Sequence, residues 1–592
     1  MLALALALQS AAQNVNPTVQ VTNDYQTRMS SVSKMSVPVN VPDSLYDFDY
    51  EFDYSVFDSP YRGAYEFSPY AVKMTPSSKP LDLNKFYLKA GAGYTLHPEL
   101  EFVFSPFEKG SFDLSLFGKA DGYYGKYNNL DESTLKALSD KYDGHDFSDN
   151  AGVRGQYNYK RGNISFEVGH DGVFASMAPQ DDGANTIYNS IYGQVRAKSS
   201  GGRGSYFFYD ACVSYRYGAE QFHHHDYLDG GYRKDAGLKE NDILVTGSIG
   251  PVIASRYRLL IDAGFELVKQ NDANLTSRSE QLVTLAPKFQ FALGPVEFSA
   301  GARMDYSDKF RIAPDVHAQV GISEKAFVIY ADLAGGDKLN TYHSYKTTNH
   351  HFDSGYETLD NSYVASHNPL LAQFGVRGGA GGHFQFDVNA GYGIYQSVPF
   401  SSALTAVGSN YLNPIYTTVD AYNLWPFSTG AFIESIRLLN YNAFHAELKL
   451  GWHSERFDAD ADVLYRKSFA ATPTVSNEDI ASPPTWADPC YDIPAVSGDI
   501  RLRYNINGRI FFGVTASGQT KQYLVKSTVA SDASVPQSVD GFVDLGVFGE
   551  YKFGNHFNFW VKGGNLLCQP VRRSLTFVDK SPFATVGISL TL

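Results

Sequence analysis

The sequence predicts an all-β fold, a transmembrane antiparallel β-barrel of about 22 strands. Three observations predict it. The chain is rich in Tyr, Phe and Gly. From Lys85 onward, apolar and polar residues alternate with period 2. The links between the alternating segments are alternately short and long. A soluble sandwich or propeller also shows the alternation, but nothing in such a fold sorts its links by length.

The composition fits strands that cross a membrane. The 592 residues include 41 Tyr, 41 Phe and 52 Gly but only 4 Trp. Aromatic residues favour strands and the two membrane interfaces, and glycine allows strands to bend. Outside the N-terminus there is no apolar run of about 18 residues, so no transmembrane helix is predicted. The mean hydropathy of −0.26 agrees with strands that alternate lipid-facing and lumen-facing residues.

Charge, cysteine content and motifs exclude several functions. The formal net charge of −14 argues against nucleic acid as a partner, because the phosphate backbone would be repelled. Cys212, Cys490 and Cys568 are too few for a disulfide framework and lack the spacing of a metal site. Neither a nucleophile elbow, nor a phosphate-binding glycine loop, nor an HExxH helix occurs. We therefore expect no enzyme and no cofactor, and outer-membrane lipid as the surrounding partner.

The chain divides into three parts. Residues 1–12, MLALALALQSAA, form a short apolar run that ends in small residues, which predicts a signal peptide cut near Ala12. Residues 13–84 are rich in Pro, Asp and Tyr and show little alternation, which indicates an extended segment that hangs in the periplasm or enters the barrel lumen. Residues 85–592 form the predicted transmembrane barrel.

The alternation assigns residues to the two faces of the wall. Every second residue from Phe86 to Tyr94 is apolar, and the same holds from Phe384 to Ile394. Successive side chains of a strand point to opposite faces, so one face here is apolar and the other carries charges, amides and glycines. The alternation continues to Leu592, which predicts that the last strand closes the barrel.

Link lengths provide a second test. Short links recur near 160–163, 199–204, 294–295, 323–325, 378–383, 453–456, 505–508 and 553–556. Long links fall between them, at 126–147, 218–238, 335–369, 399–434, 470–491 and 519–539. Short periplasmic turns and long extracellular loops are typical of outer-membrane barrels, and an even strand number leaves both termini in the periplasm. The least secure strand pairs are those joined at Leu96–Pro98 and at Ser307–Phe310.

The strongest site candidate is a charged stripe on the predicted lumen face of three consecutive strands. Its members are His445, Glu447 and Lys449, then Asp458, Asp460 and Asp462, then Asp499, Arg501 and Arg503. If these strands are adjacent, acidic and basic rows face each other, and each opposite-charge pair stabilises the sheet by roughly 0.2–1 kcal/mol. The stripe either orients a solute or grips a folded plug, or it is an ordinary solvated wall whose charges pair locally.

Two histidine-rich long links are weaker candidates. The first contains His223, His224 and His225, and the second contains His350 and His351. Imidazole and carboxylate groups bind transition metals, so a surface metal site is one interpretation. Neighbouring histidines in a loop are more often polar surface, and no spacing here fixes a tetrahedral set. We therefore expect no metal site.

The C-terminal stretch 542–592 resembles the last strands of TonB-dependent outer-membrane receptors. The order of short and long links agrees with that family over residues 85–592. The matching residues are a Gly-Asn-Leu-type turn and a glycine in the final strand, namely Gly564, Asn565, Leu566, Leu567 and Gly587, whereas Leu592 stands where the family has an aromatic residue.

The N-terminal part departs from that family. The receptors carry a globular plug preceded by a box that contacts the energy-transducing protein, and residues 13–84 are too few for such a plug. The chain therefore resembles the plugless receptor-like barrels of Bacteroidota outer membranes. The resemblance implies an outer-membrane location and a transporter-like architecture, but it does not imply energised uptake.

Two functions follow as hypotheses. The first is passage of a solute or ligand through the barrel, because barrels of about 16–18 strands already leave an aqueous channel. The alternative is a scaffold for lipoprotein partners or for an assembly or secretion complex. A wider barrel without a plug would leak, so we expect the segment 43–70 or long links such as 335–369 to fold inward.

Overall fold

The structure is a computed structural model. It describes residues 85–107, 111–130, 136–176, 185–199, 206–226, 231–253, 256–271, 277–322, 326–351, 365–380, 382–405, 432–470, 493–523, 538–573 and 577–592. The predictions of a signal peptide at 1–12 and of an extended segment at 13–84 lie outside these residues. Among the described residues, no helix is long and apolar enough to cross a membrane.

The described chain is almost entirely strand. The first twelve strands are β1 (Phe86–Tyr94), β2 (Glu99–Phe107), β3 (Phe112–Leu130), β4 (Ala137–Tyr159), β5 (Gly162–Ser176), β6 (Asn185–Ser199), β7 (Phe207–Asp226), β8 (Gly231–Ile253), β9 (Tyr257–Asn271), β10 (Ser277–Leu293), β11 (Val296–Tyr306) and β12 (Phe310–Ile322). They are followed by β13 (Phe327–Lys338), the helix α1 (Tyr342–Thr348), β14 (Ser366–Ala380), β15 (Phe384–Thr405), β16 (Phe432–His453), β17 (Phe457–Ala470), β18 (Val496–Ile506), β19 (Ile510–Gln519), β20 (Gln522–Tyr523), β21 (Ser538–Val539), β22 (Phe542–Phe553), β23 (Phe557–Gly564) and β24 (Phe583–Thr591).

Twenty-two of these strands form one closed antiparallel sheet, and β20 and β21 form a separate small hairpin. Each strand of the large sheet pairs with its neighbours in the chain. The last strand, β24, pairs with β1, where Leu590 lies opposite Leu88. The predicted barrel of about 22 strands closed by the C-terminal strand is therefore confirmed. The strand pairs joined at Leu96–Pro98 and at Ser307–Phe310 are both present.

The outer surface of the barrel carries an apolar belt. Residues of the outward set in the middle of the wall are large and exposed, for example Ile249 (50%) and Val388 (46%). Aromatic residues mark both edges of this belt, with Trp452 and Phe553 near one edge and Tyr94 near the other. Such an apolar band between aromatic girdles matches the hydrocarbon and interfacial layers of a membrane.

The links sort by length between the two ends of the barrel, as predicted. Most short links, such as Gly294–Pro295 and 554–556, lie at one end, which we call the turn end. The opposite end, the loop end, carries the longest links and also the short links 95–98, 227–230 and 307–309. Because β1 begins and β24 finishes at the turn end, the N-terminal side of the described chain lies there too.

Two predicted loops are largely strand. The region 126–147 belongs mostly to β3 and β4, and the region 218–238 belongs mostly to β7 and β8. These strands continue past the apolar belt as paired ribbons, where Lys126 lies opposite Asp143 and forms an ion pair of 2.7 Å. Neither face of a ribbon meets lipid, and one face carries buried side chains such as Tyr127 and Glu220, so its residues lose the alternation that marks the membrane-spanning part. The sequence pattern therefore ends before the strands do.

Candidate functional site

A segment of the link between β13 and β14 folds into the loop end of the barrel. We call this part, Leu339–His351, the mouth segment, and it contains α1. Its buried side chains pack on the inward faces of β5, β6 and β8, where Tyr342 and Tyr188 meet edge to face at 5.7 Å. The expectation that the long link 335–369 folds inward holds for this part of it.

The start of α1 is fixed by a carboxylate from the wall. Glu240 of β8 lies above the apolar belt and accepts hydrogen bonds from the backbone N–H groups of Tyr342 (2.6 Å) and His343 (3.2 Å). Gln270 also donates to it at 2.7 Å. The Thr341 side chain accepts from the Ser344 N–H as an ordinary helix cap. Burial raises the pKa of Glu240 to about 7, although these hydrogen bonds lower it.

A buried ion pair holds the middle of the mouth segment. Lys346 of α1 is fully buried, and its Nζ lies 3.1 Å from Oε1 of Glu220 on β7. The same Nζ donates to Thr186 at 2.8 Å, and the Thr186 hydroxyl donates to Glu220 at 2.7 Å. Each charge is thus paired and hydrogen-bonded, which is the condition under which burying it is tolerable.

The two histidines at the end of the mouth segment contact the far wall. His350 Nδ1 lies 2.7 Å from Asp146 of β4, and His351 Nδ1 lies 2.8 Å from the carbonyl oxygen of Ser176 on β5. The His351 ring also stacks on Phe577 of the β23–β24 link at 3.2 Å. Burial lowers the pKa of His351 to about 4, so the imidazole is neutral at pH 7.

Protonation of His351 and protonation of Glu240 change the stability of the docked mouth segment in opposite directions. For His351, whose pKa is lowered, the stabilisation is complete above pH 6.5 and is lost as the pH falls towards 4. For Glu240, whose pKa is raised, the stabilisation is complete below pH 4.5 and is lost as the pH rises through 7. Near neutral pH the mouth segment therefore docks with a neutral His351 and a partly ionised Glu240, whose carboxyl oxygens face three donors.

The root of the mouth segment is built around a glycine. Gly336 has φ +146°, and a Cβ there would lie 2.5 Å from Nε of Arg303. The β13–β14 register shifts between Ala334 and Gly336. Arg303 donates to the Asp337 carbonyl (3.2 Å) and pairs with Asp305 (2.8 Å), which in turn accepts from the Asp337 N–H. Because Arg303 lies so close to the backbone of Gly336, it fixes the direction in which the mouth segment leaves the barrel wall.

The link between β23 and β24 is organised by Asn565, a residue of the receptor-like turn. Its backbone has φ +46°, and its Nδ2 donates to the carbonyl oxygens of Gln569 (2.9 Å) and Lys580 (3.1 Å). Its N–H donates to Asp544 of β22 at 3.1 Å. Asn is one of the few side chains that tolerate this left-handed conformation. The link therefore approaches the mouth segment in a defined position.

Substitutions at Asn565 should separate the contribution of its side-chain hydrogen bonds from that of its left-handed backbone conformation. Asn565→Gly keeps the backbone accessible but removes both side-chain hydrogen bonds, so we expect a local loss of roughly 1–3 kcal/mol. Asn565→Ala adds the strain of a left-handed Cβ and should lose about 1 kcal/mol more. Hydrogen exchange of the backbone amides at 568–569, 571–573 and 577–581 measures both losses. Unchanged exchange in Asn565→Gly would show that the side chain does not hold the link.

The predicted charged stripe lies on three adjacent strands. The opposed pairs of acidic and basic residues are Lys449 with Asp462, Asp460 with Arg501, and Asp458 with Arg503, whereas Asp462 and Asp499 are like charges placed opposite each other. Lys449 Nζ lies 2.9 Å from Glu447 and 3.9 Å from Asp462. The His445 ring lies over Gly391 of β15, where a Cβ would be 2.5 Å from it. The structure thus brings all nine residues to one sector of the inner wall.

The histidine candidates for a metal do not form one group in the described residues. His350 and His351 have different partners, as described above. His223, His224 and His225 belong to β7 and pair with residues 232–234 of β8, and their side chains lie outside the described part.

A different group brings three potential metal ligands together. His97 Nε2 lies 3.9 Å from Glu99 and 3.7 Å from Asp121, and the histidine is buried. Both carboxylates, however, also pair with lysines. Lys562 lies 2.7 Å from Glu99, and Lys580 lies 3.4 Å from Asp121. The ammonium groups neutralise the charge that would attract a divalent cation, so the group ties β2, β3 and β23 to the β23–β24 link.

Sequence reasoning did not single out Lys346, Glu220 or Glu240. In the sequence, Lys346 and Glu220 are isolated charges far apart, and no local spacing connects them. The one available signal was the pair Gly335–Gly336 at the end of β13, since glycine in a strand marks a bulge or a close approach. That signal indicates where the strand changes direction but not what the following segment contacts.

Comparisons with known proteins find solved structures of similar fold. The sequence matches no protein-family model and no curated protein. The FrpB iron transporter of Neisseria meningitidis superimposes with a TM-score of 0.60 and 10% identity, over 86% of this chain and 82% of that one. The copper transporter OprC gives 0.58 and 11%, over 87% and 82%. A mutant of the ferric enterobactin receptor of Pseudomonas aeruginosa gives 0.56 and 11%, over 86% and 80%.

These solved structures are those of receptors and transporters. At 10–11% identity the likeness concerns the fold and not the ligand. The chain has the closed 22-stranded barrel fold of outer-membrane receptors and transporters.

Proposed function

We propose that the barrel passes a solute or ligand across the outer membrane, with its loop end outside the cell and its termini in the periplasm. In this proposal residues 1–12 are a signal peptide, residues 13–84 remain at the periplasmic end or in the lumen, and the barrel is of the plugless receptor-like kind. The solved structures that share its fold include transporters of iron and copper, which supports a transport role without naming the solute here.

The observation that carries the proposal is the way in which the mouth segment is held. It lies inside the barrel mouth, and its contacts with the far wall include ion pairs and hydrogen bonds of Lys346, His350 and His351. Water can replace each of these polar contacts at a modest net cost. A purely apolar seal would instead lose its full transfer free energy on opening. The mouth segment is thus held by contacts that suit reversible opening.

The charged stripe has a supporting role in this proposal. Asp460 is half-exposed, and Asp462 and Asp499 place two further carboxylates beside it on the lumen face. Solute that enters the mouth would meet this sector of the inner wall, where Lys449 and Arg501 alternate with the carboxylates. We propose that the stripe orients a polar solute that passes it. Outer-membrane lipid surrounds the apolar belt, and lipoprotein partners belong to the alternative of a scaffold.

Opening of the barrel mouth can be tested by a substitution at Gly336, where the chain leaves β13 towards the mouth segment. Gly336→Val cannot keep φ +146° and would place atoms on Arg303, so we expect the mouth segment to leave the wall and the conductance in a planar bilayer to rise. The matched control is Gly294→Asn, at a turn-end glycine with φ +60° and open space around it. Both variants are compared in the full chain and in a chain without residues 13–84.

The outcomes separate the two functions. Passage predicts a larger conductance for Gly336→Val than for the wild type and Gly294→Asn, in at least one of the two backgrounds. A barrel that stays closed in all four variant chains contradicts passage. That result would favour the scaffold, whose contact surfaces would then be the ribbons β3–β4 and β7–β8 beyond the belt.

A further inference from the structure

Two lysines lie close together on one face of the sheet, where β8 and β9 leave the apolar belt at the loop end. Lys239 of β8 and Lys269 of β9 are both exposed. Lys239 lies opposite Asn271, and Lys269 lies opposite Asn241, so the two lysines are diagonal neighbours. The Cβ atoms of diagonal neighbours lie roughly 7 Å apart. Both ammonium groups can therefore reach one ligand.

The residues next to the lysines show that this face is the outer one. Glu240 and Gln270 follow the two lysines in the sequence, and both are buried inside the barrel, where Gln270 donates to Glu240 at 2.7 Å. Successive side chains of a strand point to opposite faces. Lys239 and Lys269 therefore point away from the lumen and meet what surrounds the barrel.

The position of Lys269 along β9 places it at the level of the lipid headgroups. Leu259, Ile261 and Phe265 on the same face of β9 are exposed and belong to the apolar belt. From Tyr257, the first residue of β9, to Lys269 the strand rises roughly 30 Å along the membrane normal, at about 3.3 Å per residue and a tilt of about 40°. The apolar band of such barrels is about 25 Å tall. Lys269 thus lies just beyond the hydrocarbon layer.

The outer face around the two lysines carries no negative charge on the flanking strands. Among the described residues, neither Lys239 nor Lys269 forms an ion pair. The outward residues of the flanking strands at this level are uncharged, namely Tyr217 and Ala219 of β7 and Ser277 and Ser279 of β10. Two neighbouring positive charges repel each other, and an anion bound between them removes that repulsion. The chemistry of this surface therefore favours an anionic ligand.

Neutral hydrogen-bonding groups lie beside the lysines. The hydroxyl of Tyr215 donates to Oδ1 of Asn241 at 2.9 Å, which leaves the NH2 group of Asn241 as a donor next to Lys269. Tyr215 and Tyr217 are exposed on the same face, and tyrosine rings prefer the boundary between membrane and water. We call Lys239, Asn241 and Lys269 the lysine patch.

We propose that the lysine patch binds the phosphate-bearing headgroup of an anionic lipid in the membrane leaflet at the loop end. The lysine ammonium groups donate to the phosphate oxygens, and the amide of Asn241 adds a further donor. The acyl chains of the same lipid lie on the apolar belt, a contact that a soluble anion lacks. This inference requires the belt and the patch, and it depends neither on passage nor on which side of the membrane the loop end faces.

Native mass spectrometry of the purified full chain tests the lysine patch. The probes are phosphatidic acid, whose headgroup is an anionic phosphate monoester, and phosphatidylcholine with the same acyl chains, whose headgroup has no net charge. We expect the wild type to retain phosphatidic acid more tightly. A lysine at a charged membrane surface changes the affinity about fivefold, so Lys239→Gln/Lys269→Gln should weaken the binding of phosphatidic acid roughly 30-fold. Retention of phosphatidylcholine should stay the same.

Two control variants separate the effect of charge from other effects. Lys239→Arg/Lys269→Arg keeps both positive charges and should keep the affinity for phosphatidic acid. Lys126→Gln removes an exposed lysine at the same end of the barrel, where Asp143 already pairs with it at 2.7 Å, and should bind phosphatidic acid like the wild type. All of these substitutions change exposed side chains, and the faster migration of a folded barrel in an unheated gel confirms that each variant folds.

Four results would overturn the proposal. They are equal retention of the two lipids by the wild type, wild-type affinity in the double Gln variant, a loss in Lys126→Gln as large as in the double variant, and release of phosphatidic acid by inorganic phosphate. The last result would assign the lysine patch to a soluble phosphate and not to a lipid. Conductance enters none of these measurements, so failure of passage and failure of lipid binding remain distinguishable.

Discussion

Lys346→Met should release the mouth segment from the inner wall. The substitution removes the ammonium group and leaves Glu220 buried without its partner, in a position where both side chains are fully shielded from solvent. Removing one member of a buried ion pair costs roughly 3–5 kcal/mol, because the remaining charge has no compensation. Hydrogen exchange of the amides from Tyr342 to His351, in detergent or lipid, measures the loss. We expect these amides to lose most of their protection.

The double variant Lys346→Met/Glu220→Gln tests whether the charge that remains on Glu220 causes this loss of protection. A neutral amide can still accept from Thr186, so most of the lost protection should return, which a merely steric effect of Met would not allow. Lys126→Met at the exposed pair with Asp143 is the matched control and should cost at most about 1 kcal/mol. Equal effects of Lys346→Met and Lys126→Met would contradict the assignment of the buried pair as the anchor.

Arginine on the outer face should destabilise the barrel far more than arginine on the inner face. Ile249 of β8 is half-exposed in the apolar belt, so Ile249→Arg places a charge in the hydrocarbon layer and should cost roughly 2–4 kcal/mol. The adjacent Ser248 points into the lumen between Asp210 and Asp262 in register. Ser248→Arg should therefore cost much less, since the new charge stays in the polar lumen and not in lipid.

Urea titration of the two variants in lipid vesicles gives both free energies of unfolding under one condition. Ile249 and Ser248 are neighbours in one strand and have the same depth in the membrane, so the comparison isolates the face. Similar losses for the two substitutions would mean that the apolar face of β8 does not contact lipid. The measurement also tests the placement of the belt, because the cost of a lipid-facing arginine decreases towards the interfaces.

The period-2 alternation was sufficient to predict the strands of the barrel wall, because its cause is local. In β15, Val388 and Asn389 face opposite sides simply because successive side chains of a strand alternate. Lipid on one face and lumen on the other then impose the apolar and polar sets on each strand. The same reasoning correctly predicted the strand number and the closure of the barrel by its last strand, and the structure shows that the strands carrying His445, Asp460 and Arg503 are adjacent.

The pattern was insufficient where a strand extends beyond the apolar belt. The ribbons in β3, β4, β7 and β8 were predicted as loops, because without lipid on one face their sequence shows no alternation of apolar and polar residues. Backbone hydrogen bonds pair such ribbons, and these bonds do not require alternating side chains. A prediction based on side-chain periodicity therefore underestimates the length of strands outside a membrane.

The sequence by itself determined that the chain is a closed antiparallel barrel with an apolar outer face, because membrane and lumen act on every residue of a strand separately. Only the tertiary structure decided how the mouth is filled. Lys346 pairs with Glu220, the start of α1 meets Glu240, and His351 stacks on Phe577, in each case across more than a hundred residues of chain. Such contacts depend on where closure of the barrel brings distant strands, and no local period encodes that placement.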